Sequence, residues 1–319
     1  MPVSIDEAIE AYLDERQSEL SDSSIQNHRY QLKQFRQWAW GAGDVHAVDN
    51  LDPIGVSRFR RARSADLNSN TMYNQLSSLR LFLRFCSRMG WCSDELPESI
   101  VLPTRSGQSR DSRIDIDRLE CLLDELERYR YASRPHVIVT VLASTGMRIG
   151  TLRGLDVGDV YLNESWCDVV HRSDTGTPLK NAEQSERELN LHGWVCDVLR
   201  SWISDRRPAC TESNGREPLV STGQGRIARS SIRRVVYRVT ACGSALNACE
   251  CSAERPSKCD ESVSPHDIRR TAVSSWLNDG IDVSDVSGRV DSSPGTIRTH
   301  YDASSASERR ERRRDAFDM

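Results

Sequence analysis

Two short β-rich segments, Trp166–His171 and Glu186–Leu191, stand in a chain whose other periodic stretches are helical. The residues joining them, DTGTPLKNAEQS, include the Gly, Pro and Asn that reverse a chain, so the pair reads as a hairpin. That restricts the fold class to mainly α with a small β-sheet (α+β), and the position of the hairpin places the sheet in the second half of the sequence.

The first hundred residues read as helices alone. Ser4 and Glu7 form a capping-box pattern ahead of Ala8, Ile9, Tyr12 and Leu13. A second stripe runs through Ile25, His28, Leu32, Phe35 and Ala39. A short basic helix carries Arg58, Arg60, Arg61 and Arg63, and a fourth helix turns Met72, Leu76, Leu79, Leu83 and Cys86 inward. Residues 103–114, PTRSGQSRDSRI, have linker composition with an excess of arginine. The expected organisation is a helical domain over 1–103, a linker over 104–111 and a second domain over 112–319 with a charged tail. The second domain opens with a helix at 115–130 and a buried one through Val137–Ala143. Helices resume at 194–205 and 230–241.

With 319 residues, 37% hydrophobic and 28% charged, the chain suits a soluble two-domain protein. It has no run of eighteen apolar residues, so no membrane span is expected. MPVSIDEAIEAYLDE lacks the basic-then-apolar order of a signal peptide, and a cytoplasmic location follows. The net charge of −4 does not advertise nucleic-acid binding. Lysine occurs only at Lys33, Lys180 and Lys258, so arginine supplies nearly all of the 43 basic residues. Such a skew fits a halophilic or GC-rich host, and it makes any kept lysine conspicuous.

The stretch from Ser264 to Asp302 opens with His266 and Arg269, which share one face of a helix. Together they can hold a phosphate between a guanidinium fork and an imidazole. Tyr301 closes the stretch, and tyrosine is among the side chains that form covalent intermediates.

TGMRIGTLRGLDVGDV, TGTPLKN, SPHDIRR and THYD occur in the order found in the tyrosine recombinase (phage-integrase) family, which this chain resembles over nearly its whole length. SSIQNHRYQLKQFRQW and SNTMYNQLSSLRLFLRFCSRMGW resemble that family's helical, SAM-like core-binding domain. The resemblance implies a two-domain clamp around double-stranded DNA, working as a homo-tetramer on paired sites. Arg148 and Arg269 would grip the scissile phosphate, and His266 would orient it or assist proton transfer. Tyr301 would attack to give a 3′-phosphotyrosyl bond. Lys180 matches the general acid for the leaving 5′ oxygen. Arginine cannot serve there, because its pKa lies above about 12. No cofactor is needed for that chemistry. The sequence departs from the pattern twice. Thr151 stands where the family usually has Glu, and Ser287-Gly288-Arg289 replaces an L-G-H or L-G-W motif. Arg289 is then a candidate fifth phosphate contact or a surface residue. Two alternatives share the resemblance: a non-catalytic DNA-binding protein of the same fold, and a type IB topoisomerase-like enzyme.

Four of the ten cysteines, Cys242, Cys249, Cys251 and Cys259, crowd into one loop ahead of His266. Four thiolates suit a tetrahedral structural zinc. Reduced thiols or a local disulfide fit the same spacing.

Overall fold

The computed structural model describes residues 2–65, 67–104, 114–242 and 255–301, with the His300 side chain excepted. The chain divides into two compact units, Met1–Ser109 and Arg110–Met319. Most of the expected linker and all of the tail after Tyr301 lie outside the described residues.

The first unit is helical: α1 (Ile5–Gln17), α2 (Asp22–Trp38), α3 (Pro53–Ser64), α4 (Ser69–Arg88) and the single turn α5 (Glu95–Glu98). Each longer helix starts on a side-chain oxygen that accepts a backbone N–H of the first turn, from Ser4, Ser21, Asp52 and Asn68. Ser4 and Glu7 close the expected capping box. The apolar stripes meet in a core with an aromatic centre, where Phe35 meets Phe59 edge-on at 5.4 Å and Tyr12 meets Phe82 at 5.8 Å. Tyr12 is buried because its hydroxyl finds His28 Nδ1 at 2.8 Å. On α3 that core takes Val56 and Phe59, leaving Arg58, Arg60 and Arg61 exposed as a basic face.

The second unit begins with α6 (Ile116–Arg130) and α7 (Arg134–Thr145). α7 is apolar on nearly every side and is therefore surrounded by other elements. After α8 (Ile149–Gly154) come β1 (Val160–Tyr161), β2 (Trp166–Val169) and β3 (Arg187–Asn190), an antiparallel sheet in the order β1-β2-β3. α9 (Gly193–Ser201), the two-residue strands β4 (Ser221–Thr222) and β5 (Gly225–Arg226), and α10 (Arg229–Thr240) follow. The chain then forms α11 (Pro265–Asn278), α12 (Val283–Val290) and α13 (Pro294–His300). Val273, Leu277, Val286, Val290, Ile297 and the Tyr301 ring make a separate small core under these last three helices.

The sheet is the expected one in place and pairing, with Trp166 opposite Asn190 and Val169 opposite Arg187. Its strands are shorter than the β-rich sequence, and the connection is not a simple turn. Arg172 leaves the sheet for Asp159, donating at 2.8 and 2.6 Å, and pairs back on Thr177 around Gly176. Gly176 has φ +75°, a conformation that favours glycine. A 3-10 turn at Ala182–Ser185 then leads into β3.

Candidate active site

The T-G-M-R sequence forms the junction between α7 and α8. Thr145 Oγ1 donates to Val141 O at 2.6 Å and accepts from the Met147 N–H at 3.3 Å, which ends α7. Gly146 continues in the left-handed region at φ +61°. A Cβ there would lie 3.0 Å from Val290 and 3.1 Å from the Trp276 ring, so the position needs glycine for conformation and for space. Arg148 becomes the N-cap residue of α8. The far end of α8 is fixed by Arg226, which donates to Arg153 O at 2.8 Å and is itself paired with Asp156 and Glu212. Carbonyls left open at a helix end are thus satisfied by a buried guanidinium.

His266 and Arg269 lie in the first turns of α11, which starts on a capping box between Ser264 and Asp267 with Pro265 at its head. Arg269 is 2% exposed. Its Nη1 donates at 2.8 Å to Gly146 O and at 2.8 Å to Val290 O, the carbonyls at the ends of α7 and α12. Its Nε points to the Tyr301 hydroxyl at 3.4 Å, long for a hydrogen bond, and the guanidinium carbon is 5.9 Å from the Tyr301 ring centre. His266 meets the same ring edge-on, with centres 6.1 Å apart. His266 keeps an exposed edge. Even so, partial desolvation first, and then the charges of Arg270 and Arg269, hold its pKa below the ordinary histidine value.

Tyr301 caps α13. Its N–H donates to Ile297 O at 2.9 Å, and its carbonyl accepts from the Ser274 hydroxyl at 2.8 Å. Residues thirty positions apart in sequence are thereby held together by one small core. Met147, Arg148, His266 and Arg269, with Arg233 and Tyr237 from α10, line a cleft of about 430 Å³ beside this group.

Lys180 sits on the β2–β3 connection with its side chain exposed. Its neighbours are fixed. The Leu179 N–H donates to His171 Nδ1 at 3.0 Å, and Asn181 Nδ2 donates to Asp291 Oδ1 at 3.2 Å. The connection therefore brings the lysine backbone to the edge of the site, two residues' contacts away from Arg148.

Arg289 does not line this cleft. Its Nη2 donates to Ser144 O at 2.8 Å and Asn190 O at 3.1 Å, and the guanidinium lies 5.2 Å from the Trp276 ring centre. The last turn of α7 has open carbonyls, and a guanidinium stacked on an aromatic ring reaches them.

Sequence reasoning missed Asp291 and Arg187. Asp291 follows α12 in the left-handed region at φ +54°. Its carboxylate accepts from Arg148 Nη1 and, at 2.8 Å, from the Ser185 hydroxyl, while its carbonyl accepts from Arg148 Nη2 at 2.6 Å. Burial raises its pKa, but the Ser185 hydroxyl and Arg148 outweigh this and hold it below the ordinary range. Arg187 donates through Nε to Arg289 O at 2.9 Å and through Nη1 to Ser185 O at 2.8 Å. Its Nη2 is buried without a partner, and burial lowers its pKa to about 10. No motif in the sequence marks either residue. Both are found only from the way strand, turn and helix ends converge.

Cys249 and Cys251 lie outside the described residues. Cys259 is buried, and its sulfur accepts the Cys242 N–H at 3.1 Å. Among the described residues, no three His, Cys, Asp or Glu side chains converge as a metal site would require.

This combination of a helical first unit and a helical second unit carrying a three-stranded sheet, with Arg, His and Tyr gathered at one cleft, defines a class. The phage integrase family matches residues 112–307, and its N-terminal SAM-like domain matches residues 9–90. The chain therefore belongs to the phage integrase family and is a tyrosine-type recombinase, an enzyme that breaks and rejoins DNA strands. It is 24% identical over 272 residues to tyrosine recombinase XerC of Pelobacter propionicus, covering 84% of this chain and 80% of that one. It is 23% identical over 291 residues to XerD of Listeria monocytogenes, covering 88% and 89%. Its fold resembles the Tn1549 transposon integrase in complex with a circular intermediate DNA (TM-score 0.72, 14% identity, 97% and 98% coverage). It also resembles a lambda integrase dimer bound to a core site (TM-score 0.64, 12% identity, 100% and 79% coverage). No described helix is long and apolar enough to cross a membrane.

Proposed function

We propose that Tyr301 is the nucleophile of a site-specific recombinase acting on double-stranded DNA. The reading rests on one observation above all: the Tyr301 hydroxyl lies 3.4 Å from Nε of a buried arginine, beside the cleft that Arg148 and His266 also line. A phosphodiester seated there would meet two guanidinium groups. In the pentavalent transition state the phosphate gains negative charge, which fixed N–H donors stabilise without reorganising. The Tyr301 oxygen forms the new bond to phosphorus, its proton passes towards His266, and the 5′ oxygen leaves with a proton from Lys180. The phosphotyrosyl bond keeps the energy of the phosphodiester, so rejoining needs no nucleotide cofactor and no step passes through a metal.

The first unit, with its exposed Arg58, Arg60 and Arg61, serves in this reading as the second half of a DNA clamp, the linker near 104–111 joining it to the catalytic unit. The family resemblance implies a homo-tetramer on paired sites, and a cytoplasmic, nucleoid-associated location follows from the substrate. A structural zinc on Cys242, Cys249, Cys251 and Cys259 belongs to the same reading, since Cys242 and Cys259 adjoin just ahead of α11. Metal analysis of the purified protein tests it.

The central test is covalent trapping on nicked duplexes tiled across the DNA flanking the gene, read on a denaturing gel. Wild type should yield a DNA-linked band that Tyr301→Phe lacks. Specific binding by footprinting with no adduct from wild type would overturn the catalytic reading.

A further inference from the structure

We infer that Asp291 is a positioning residue for the cleavage reaction: its carboxylate sets the Arg148 guanidinium and ties it to the connection that carries Lys180. The inference rests on the assignment of Arg148 and Lys180 above and adds a residue that no motif marks.

Arg148 leaves the backbone at an N-cap, where its main chain is fixed but a long side chain has several rotamers open. Two of its nitrogens are taken by one residue, Nη1 by the Asp291 carboxylate and Nη2 by the Asp291 carbonyl at 2.6 Å. A planar fork held through both terminal nitrogens cannot swivel, and its remaining donors keep a fixed direction. The neighbouring position that might otherwise hold it cannot. Thr151 is at the third position of α8, three residues on and on the same face. A long carboxylate there could reach back to the N-cap, whereas a threonine is too short.

The other contacts of Asp291 go to the β2–β3 connection. Asn181, adjacent to Lys180, donates to Oδ1 at 3.2 Å, and Ser185 donates to Oδ2 at 2.8 Å. A single carboxylate thus receives the start of α8 and both ends of the turn that follows Lys180. It stands directly ahead of α13, the helix that delivers Tyr301. Against burial, which raises it, the Ser185 hydroxyl and then Arg148 and Arg187 hold its pKa below the ordinary carboxylate value.

The left-handed backbone makes the test clean. Asn and Gly are the residues that best tolerate φ +54°, so Asp291→Asn and Asp291→Gly both preserve the main chain while removing the charge. Cleavage is measured as the rate of covalent adduct formation on a nicked site across a range of DNA concentrations, with melting temperature in parallel. Misplacement of a phosphate-gripping group by about 1 Å costs roughly 10²-fold in rate. Both variants should therefore lose about that factor at saturating DNA, while the DNA concentration at half-maximal rate stays within about threefold. Rates within twofold of wild type in both variants would overturn the inference. So would a faster reaction in Asp291→Asn, which would make the carboxylate a block on Arg148, or full activity in Asp291→Gly, which would leave only a backbone role. If wild type bound its site specifically and still formed no adduct, the catalytic reading would fall and this inference with it, whereas loss confined to the Asp291 comparison leaves that reading standing.

Discussion

Arg269 and Tyr301 meet through Nε and the phenolic oxygen at 3.4 Å, while Nη1 of the same guanidinium is taken by the carbonyls of Gly146 and Val290. One side of the fork is spent on the scaffold and the other faces the proposed nucleophile. Arg269→Lys keeps the charge but offers a single nitrogen for three partners. Strand cleavage should fall roughly 10²–10³-fold, as expected when one fixed donor to the developing charge is lost. Adduct yield with time, at saturating DNA, checks it.

Arg289 should behave in the opposite way. Arg289→Ala removes the donor from Ser144 O and Asn190 O and the stacking on Trp276. A loss of roughly 1–3 kcal/mol in urea unfolding is expected for the stranded carbonyls. The cleavage rate of the folded variant should stay within about threefold of wild type. A hundredfold fall in rate with unchanged stability would return Arg289 to the phosphate.

Lys180 is exposed, so Lys180→Ala should leave the melting temperature unchanged while slowing cleavage by roughly 10²–10⁴, the usual worth of a proton donor. A substrate whose leaving 5′ oxygen is replaced by sulfur departs without needing that proton. It should be cleaved by Lys180→Ala at close to the wild-type rate. Equal slowing on both substrates would deny Lys180 the acid role.

The pH dependence of stability should carry the mark of His136, which lies in α7 and is 1% exposed. Its Nδ1 accepts the Ala132 N–H at 3.1 Å, and burial lowers its pKa from 6.5 to about 4. Between those values the unfolded chain binds the proton and the folded chain does not, so stability rises with pH across that window. Acidification from pH 7 to pH 4 should cost about 3 kcal/mol from this group alone. Urea titrations of wild type and His136→Gln check it, the variant showing the shallower slope.

Much of the architecture was readable beforehand because it depends on local chemistry. The Ser4–Glu7 cap and the inward stripe of α4 follow from side chains within a few residues of one another, and the pairing of β2 with β3 from two β-rich segments close in sequence. Motif order singled out Arg269 and Tyr301, and the fold sets the two side chains beside each other. The fate of Arg289 was not legible, since it depends on which open carbonyl lies within reach, and Ser144 is 145 residues away. Asp291 was invisible for the same reason. An aspartate after a helix is ordinary in sequence, and only the arrival of Arg148, Asn181 and Ser185 gives it meaning.

Because one nitrogen of Arg269 binds the ends of both α7 and α12, the proposed reaction centre and the packing of those helices form a single mechanical part. Substitutions at Gly146, Trp276 or Val290 that ease the packing would also shift the Arg269 guanidinium. Natural drift and directed evolution alike are then confined to surfaces that can vary without disturbing this joint. Retargeting such an enzyme to a new sequence should therefore begin on the solvent face of α3, where Arg58, Arg60 and Arg61 are exposed and can be exchanged without disturbing that joint.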